Sequence, residues 1–101
     1  MFGFEKLFKR GNDYALLVQN GAVIIDVRTT AEFTAGHIPG SKNISLDKLA
    51  AGLKELKKLN RPVITCCQSG TRSGIASRML KSAGIDAYNG GAWNVLLKKI
   101  S

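Results

Sequence analysis

The chain has 101 residues, 45% of them hydrophobic and 22% charged, which is the composition of one globular domain with its own core. Fifteen Lys and Arg against seven Asp and Glu give a formal net charge of +8. We expect the basic residues to form a solvated surface that attracts small anions. Because no aromatic residues are interleaved with them, no nucleic-acid partner is expected. No apolar stretch approaches the roughly 20 residues that cross a bilayer, so no membrane partner is expected.

Strand-like and helix-like segments alternate along the chain. The β-branched run over 22–26 is typical of a strand covered on both faces, and the spacing of leucines over 46–59 is that of an amphipathic helix. In chain order, the sequence predicts a helix over 14–19, a strand over 22–26, a helix over 30–35, a strand over 42–44, a helix over 46–59, a strand over 63–66, a helix from about 71 to 83, a strand over 85–88 and a helix over 92–100.

Helix caps and glycines mark the boundaries of these elements. Asn12 or Asp13 can cap the first helix, a Thr begins the second, and Ser45 supplies the N-cap of the third. Gly84 ends the fourth helix. The residues Asn89-Gly90-Gly91 predict a turn before the last helix.

This alternation predicts an α/β fold with a mostly parallel sheet and helices on both faces. Because the sequence has no repeats or linker-like stretches, residues 1–101 are expected to form a single domain with a core over about 12–100. The protein is expected to be a monomer. In such folds, ligands lie beyond the C-terminal ends of the strands.

A cysteine stands at such a position. Cys67 follows the apolar run 62–66, and the small polar loop Gln68-Ser69-Gly70-Thr71-Arg72-Ser73 leads from it into a helix. Backbone N–H groups and a helix N-terminus then surround one sulfur, which lowers a thiol pKa and favours an anionic substrate. We therefore interpret Cys67 as a nucleophile.

The neighbouring Cys66 is interpreted differently. Alternation along the strand directs its side chain away from that of Cys67, so we expect a packed thiol. Adjacent cysteines rarely form a disulfide because the small ring strains the peptide between them, which favours a reducing compartment, the cytoplasm. Together with His37, they make a poor ligand set for a metal, and no metal or other cofactor is expected.

The first ten residues carry charges within their apolar segment and lack a small-residue cleavage site. This pattern predicts that they are not a signal peptide.

Three segments together resemble the single-domain rhodanese family of sulfurtransferases. They are Val23-Ile24-Ile25-Asp26-Val27-Arg28 with Glu32-Phe33, Ala35-Gly36-His37-Ile38-Pro39-Gly40-Ser41-Lys42-Asn43-Ile44, and the loop from Cys67 to Ser73, while Gly90-Gly91 with Trp93 match the C-terminal signature of the family. The resemblance covers roughly residues 12–100, and the order and spacing of the segments are specific.

The resemblance implies a parallel five-stranded sheet and a cysteine that cycles through a persulfide. A small anionic donor such as thiosulfate would give its outer sulfur to Cys67, and cyanide or a cellular thiol, including a protein thiol, would remove it. Arg72 would assist as a cationic member of the loop, and the loop amides would hold the persulfide. The substrate-binding residues expected on this basis are Gln68, Ser69, Gly70, Thr71, Arg72, Ser73 and, at the pocket edge, Arg28.

Other residues of these segments have structural as well as functional interpretations. His37 is expected to fix its loop through hydrogen bonds, with general-base catalysis as the alternative. Asp26, Arg28 and Glu32 suit a structural ion pair and strand-end hydrogen bonds, or else substrate binding. Trp93 is expected in the core or the pocket wall, where the last helix begins.

Two other functions stay open at this stage. Counted from Cys66, five residues precede Arg72, which matches the Cys-x5-Arg-Ser/Thr signature of cysteine-dependent phosphatases; some of these, and some arsenate reductases, share the rhodanese fold. The longer loop would admit a tetrahedral oxyanion. The remaining alternative is a non-catalytic module that docks a protein.

Overall fold

The computed structural model describes residues 13–101. The predictions for the first ten residues and for Asn12 as a cap lie outside the described residues. In chain order, the elements are α1 (Tyr14–Gln19), β1 (Val23–Asp26), α2 (Thr30–Ala35), β2 (Lys42–Asn43), α3 (Leu46–Leu59), β3 (Val63–Cys67), α4 (Thr71–Ser82), β4 (Ala87–Ala92) and α5 (Trp93–Ile100). No helix within this part of the chain is long and apolar enough to span a bilayer.

The sheet is entirely parallel, with strand order β2-β1-β3-β4. The predicted α/β class is confirmed, but the expectation of five strands is wrong for residues 13–101, which form four. Three of the four coincide with runs that the sequence itself marks as strand-like, and β4 overlaps the fourth such run only in part. The fifth was implied only by the family resemblance, and the described residues offer no further run of this kind.

Side-chain alternation in the strands divides the core into two faces. Ile25, Val63 and Cys67 face one side, where they pack with leucines and alanines of α3 and α4. Ile24, Ile64 and Cys66 face the other, where α1 and α5 cover them. Adjacent residues of β3 therefore lie in different environments, which decides what each of the two cysteines can do.

Helix caps fix the ends of the helices as expected, with one exception. Asp13 caps α1, and Thr29 forms a capping box with Glu32 at the start of α2. Ser45 is the N-cap residue of α3, as predicted, but its side chain makes no capping hydrogen bond. Its hydroxyl donates to the nearby Asp47 carboxylate, 2.6 Å away, and accepts no N–H of the first turn.

β4 is shifted from the predicted strand over 85–88 and continues through the glycines that the sequence marked as a turn. One residue of β3 lies opposite Gly90 and Gly91 together, so β4 carries a β-bulge there. Gly91 has φ +80°, which favours glycine. A Cβ on Gly90 would lie 2.8 Å from the Thr65 carbonyl oxygen. The glycines thus permit close strand pairing up to the edge where Cys67 lies.

Candidate active site

The sulfur of Cys67 lies at the C-terminal end of β3 and is surrounded by hydrogen-bond donors. It accepts the N–H of Gly70 at 3.0 Å and the N–H of Ser73 at 3.3 Å. The Ser73 hydroxyl lies 3.3 Å from the same sulfur. Gly70 is the N-cap residue of α4 and has φ +104°, a conformation that bends the loop around the sulfur and favours glycine.

The pKa of Cys67 reflects two opposing effects. Burial raises it, since the residue is only 1% exposed. The hydrogen bonds from the Ser73 side chain and from the N–H groups of Ser73, Gly70 and Ser69 lower it, and they outweigh burial, so the pKa lies below its ordinary value. The local chemistry therefore favours an anion on this sulfur.

Cys66 has the opposite environment. It is completely buried on the α1/α5 face among Ile24, Ile64 and Leu96. Burial raises the pKa of its thiol to about 12, and the neighbouring Asp26 carboxylate adds to the effect. The prediction of a packed thiol is confirmed. Both cysteines are free thiols.

The guanidinium of Arg72 is bound by a carboxylate of another helix. It donates two hydrogen bonds to Glu32, at 2.8 and 3.0 Å, and so links the start of α4 to α2. These bonds lower the pKa of Glu32 to about 2 and raise that of Arg72. Arg72 belongs to the loop, as predicted, but its charge is balanced by Glu32.

Arg28 is similarly paired at the end of β1. It is 3% exposed, and its guanidinium donates to both oxygens of the fully buried Asp26 and to the Gly36 carbonyl. It also lies over the Trp93 ring, 4.9 Å from its centroid. The structural ion pair expected from the sequence is present, and Arg28 holds the segment that follows α2.

An open cleft of about 310 Å³ adjoins the cysteine loop. Trp93, the first residue of α5, forms part of its wall, as predicted. Gln68 lies in the lining, and the neighbouring Ser69 is exposed. The complete lining is Arg28, Glu32, Ala35, Gly36, Gln68, Trp93 and Asn94. The cleft thus brings together Arg28, which was predicted at the pocket edge, and Gln68 of the cysteine loop.

His37 lies in the turn after α2 and bonds locally. Its Nδ1 is 2.7 Å from the Phe33 carbonyl oxygen, and its ring stacks on that of Phe33 with centroids 3.7 Å apart. The prediction that it fixes the loop is confirmed.

Within residues 13–101, no three His, Cys, Asp or Glu side chains are grouped so that they could hold a metal ion.

Asn89 is a site residue that sequence reasoning missed. Its Oδ1 accepts the Ser73 hydroxyl at 2.7 Å, and its Nδ2 donates to the Gly70 carbonyl at 3.2 Å. The sequence placed it in a turn. A polar residue at the end of a strand beside the cysteine strand could have indicated it, because neighbouring parallel strands end at the same edge.

The geometry agrees with comparisons to known proteins. Residues 12–95 match the sequence model of the family described as Rhodanese-like domain. The chain belongs to that family. This rhodanese-like domain is 41% identical over 69 residues to the uncharacterized protein YqhL of Bacillus subtilis, aligning over 67% of its own length and 54% of the length of YqhL. It thus spans only about half of that relative.

Other relatives and solved structures have similar domains. The thiosulfate sulfurtransferase GlpE of Pseudoalteromonas translucida is 37% identical over 75 residues, covering 73% of this chain and 70% of GlpE. The human single-domain sulfurtransferase TSTD1 has a TM-score of 0.68 and 31% identity, covering 86% of this chain and 90% of TSTD1. Reduced CoADR-RHD of Bacillus anthracis has a TM-score of 0.71 and 35% identity over 84% of this chain, but only 15% of that longer protein is covered.

Proposed function

We propose that this rhodanese-like domain is a sulfurtransferase that carries a sulfane sulfur as a persulfide on Cys67. The observation that supports it best is the set of hydrogen bonds at the Cys67 sulfur, where Gly70 N–H, Ser73 N–H and the Ser73 hydroxyl meet. Relatives named thiosulfate sulfurtransferase, at 32–38% identity, support the same assignment.

The first half-reaction would charge the cysteine. The Cys67 thiolate attacks the outer sulfur of a donor such as thiosulfate, an S–S bond forms, and the donor S–S bond breaks so that sulfite leaves with its electron pair. The enzyme then carries a persulfide anion. Its charge would lie on the outer sulfur, one S–S bond beyond Cys67 Sγ, and N–H groups of the loop over 68–73 would stabilise it there.

The second half-reaction would discharge it. A thiolate or cyanide attacks the outer sulfur of the persulfide, and Cys67 leaves as a thiolate, which the same N–H groups stabilise. The acceptor could enter along the cleft beside Gln68 and Trp93. In this assignment Gln68, Ser69 and Thr71 contribute backbone and rim contacts, Gly70 and Ser73 bind the sulfur, and Arg72 and Arg28 shape the site through their carboxylate partners.

The phosphatase alternative would need Cys66 as nucleophile. Its sulfur lies in the apolar core between the sheet and α5, and its pKa is raised to about 12. Both properties argue against a thiolate there. A docking module would have no need for a cysteine whose pKa is lowered, so the environment of Cys67 also favours an enzyme over that alternative.

The proposal predicts a mass change on one cysteine. Incubation with thiosulfate should add about 32 Da to the intact wild-type protein, one sulfur atom, and cyanide should remove it with formation of thiocyanate. Cys67→Ser should gain no mass and lose activity by about 10³-fold or more. Cys66→Ser is the matched control and should keep both the mass gain and most of the activity.

Two results would contradict the assignment. One is a folded wild-type protein that gains no sulfur from thiosulfate or from a persulfide donor. The other is turnover of an aryl phosphate that is abolished by Cys66→Ser and unaffected by Cys67→Ser, which would instead support the phosphatase reading.

A further inference from the structure

Asn89 faces the cysteine loop from the neighbouring strand, and its amide orientation is fixed by the backbone. Oδ1 accepts the N–H of Gly91 at 3.0 Å, and Nδ2 donates to the carbonyl of Gly70 at 3.2 Å. The reversed amide would direct Nδ2 at an N–H and Oδ1 at a carbonyl. Only an acceptor therefore faces the Ser73 hydroxyl, 2.7 Å away.

The backbone of Asn89 is held by a side chain of α1. The Tyr14 hydroxyl of α1 donates to the Asn89 carbonyl at 2.8 Å. The β-bulge at Gly90 and Gly91 follows immediately, and a bulge re-aims the side chains beside it. The position of the amide is thus set by contacts to α1, to the bulge and to the cysteine loop.

The Ser73 hydroxyl has one proton and two neighbours that can accept it. When Cys67 is a thiol, its S–H can donate to Ser73 Oγ at 3.3 Å while the hydroxyl donates to Asn89, and every group is satisfied. When the sulfur is a thiolate, it has no proton to give. The Asn89 oxygen and the sulfur anion then compete for the one hydroxyl proton.

We propose that Asn89 is a positioning residue that accepts the hydrogen bond of the Ser73 hydroxyl while Cys67 is a thiol or carries an outer sulfur. When the Cys67 sulfur becomes an anion, the hydroxyl turns away from Asn89 and donates to that sulfur. The role in the cycle rests on the proposed sulfur transfer. In the persulfide the charge lies on the outer sulfur, so the hydroxyl returns to Asn89. When an acceptor removes that sulfur, the hydroxyl turns back to stabilise the departing thiolate.

This arrangement predicts that Asn89 destabilises the Cys67 thiolate, because the Asn89 oxygen competes with the sulfur anion for the Ser73 hydroxyl. Asn89→Ala should free the hydroxyl for the sulfur and lower the pH midpoint of Cys67 alkylation by about half a unit or more, the scale of one hydrogen bond. If Asn89 only supported the loop, its loss would loosen the loop amides and raise the midpoint instead. The two explanations thus predict opposite signs.

A double-mutant cycle isolates the hydroxyl. The midpoint is measured by peptide mass after iodoacetamide labelling for wild type, Asn89→Ala, Ser73→Ala and the double variant. In the Ser73→Ala background, Asn89→Ala should not lower the midpoint, since no hydroxyl is left to turn toward the sulfur. The other groups near Cys67 are the same in all four proteins: Arg72 paired with Glu32, Asp26 paired with Arg28, and Cys66. Equal shifts in both backgrounds, or a raised midpoint in Asn89→Ala, would overturn the proposal.

A second measurement needs only Ser73→Ala, in case Asn89→Ala does not fold. The S–H stretching band of Cys67, identified by its loss in Cys67→Ser, should lie at lower frequency in wild type than in Ser73→Ala, because the thiol donates to Ser73 Oγ. An unchanged band would overturn the proposal. Both measurements report on the Cys67 thiol and require no sulfur transfer. Their results therefore do not depend on whether the proposed enzyme activity is found.

Discussion

Gly90 lies where β4 comes close to both β3 and α5. A Cβ at this position would be 2.8 Å from Ile64 Cγ2, Leu96 Cδ2 and the Thr65 carbonyl oxygen. Two of these atoms belong to side chains that are fully buried, and the third belongs to the backbone of the central strand. None of them can move without disturbing the core that supports Cys67.

We therefore expect Gly90→Ala to destabilise the protein by about 2 kcal/mol or more, the cost of overpacking a core. Urea unfolding at equilibrium measures it. Gly52→Ala is the matched control: it lies within α3 with no atom within 4 Å of the added Cβ, and it should stabilise the helix by about 0.5–1 kcal/mol. A Gly90→Ala variant as stable as wild type would contradict the packing argument.

At this scale, the sequence could separate the two cysteines but could not locate their partners. The period of two in a strand sends Cys66 and Cys67 to opposite faces, and a loop after a strand indicates which one meets backbone N–H groups. The contacts of Ser73 with Asn89 depend on the bulge in β4. A bulge shifts register by one residue, and nothing in Asn89-Gly90-Gly91 distinguishes it from a turn.

Helix α2 is joined to α4 through a single carboxylate. Glu32 receives the Thr29 N–H at 2.9 Å within the capping box and both Arg72 hydrogen bonds across the site. The Arg72 bonds, followed by the Thr29 N–H, lower the pKa of Glu32 from 4.5 to about 2. A carboxyl whose pKa is lowered on folding stabilises the folded state above its unfolded pKa, and this contribution disappears as pH falls through the folded pKa.

Glu32→Gln should consequently be less stable than wild type at neutral pH, with the difference constant above about pH 4.5 and shrinking as the pH falls toward about 2. Glutamine can still complete the capping box, so the loss reports the link to Arg72. Unfolding free energies across this pH range test it. Glu55→Gln is the control, because its ion pair with Lys58 is largely exposed and contributes little. A difference between wild type and Glu32→Gln that persists undiminished at pH 2 would refute the link.

Elements were predictable to different degrees, and the reason is whether their determinants are local. The bounds of α1, α2 and α3 agree with the predictions because caps and apolar spacing are written within each segment. The pairing of Glu32 with Arg72 joins residues 40 positions apart. It depends on how two helices meet at the end of the sheet, which no local pattern records.

Across the whole molecule, positive charge is in excess and the site itself is close to neutral. The net charge of +8 comes from the full chain, while the two arginines of the site are paired with Asp26 and Glu32. Attraction of the anionic donor that we propose would therefore come largely from basic residues spread over the surface. Charges at such distances act through water and are screened by salt over about 8–10 Å at physiological ionic strength.

It follows that kcat/KM for thiosulfate should fall severalfold between about 10 mM and 500 mM salt, since the Debye length shortens several times over that range. Alkylation of Cys67 provides a control that does not depend on sulfur transfer. Iodoacetate, an anion, should react with the same falling dependence on salt, whereas the neutral iodoacetamide should react at a nearly constant rate. If both reagents respond to salt alike, the dependence reflects the ionisation of Cys67 rather than attraction by the surface. The net charge would then have no part in bringing the donor to the loop.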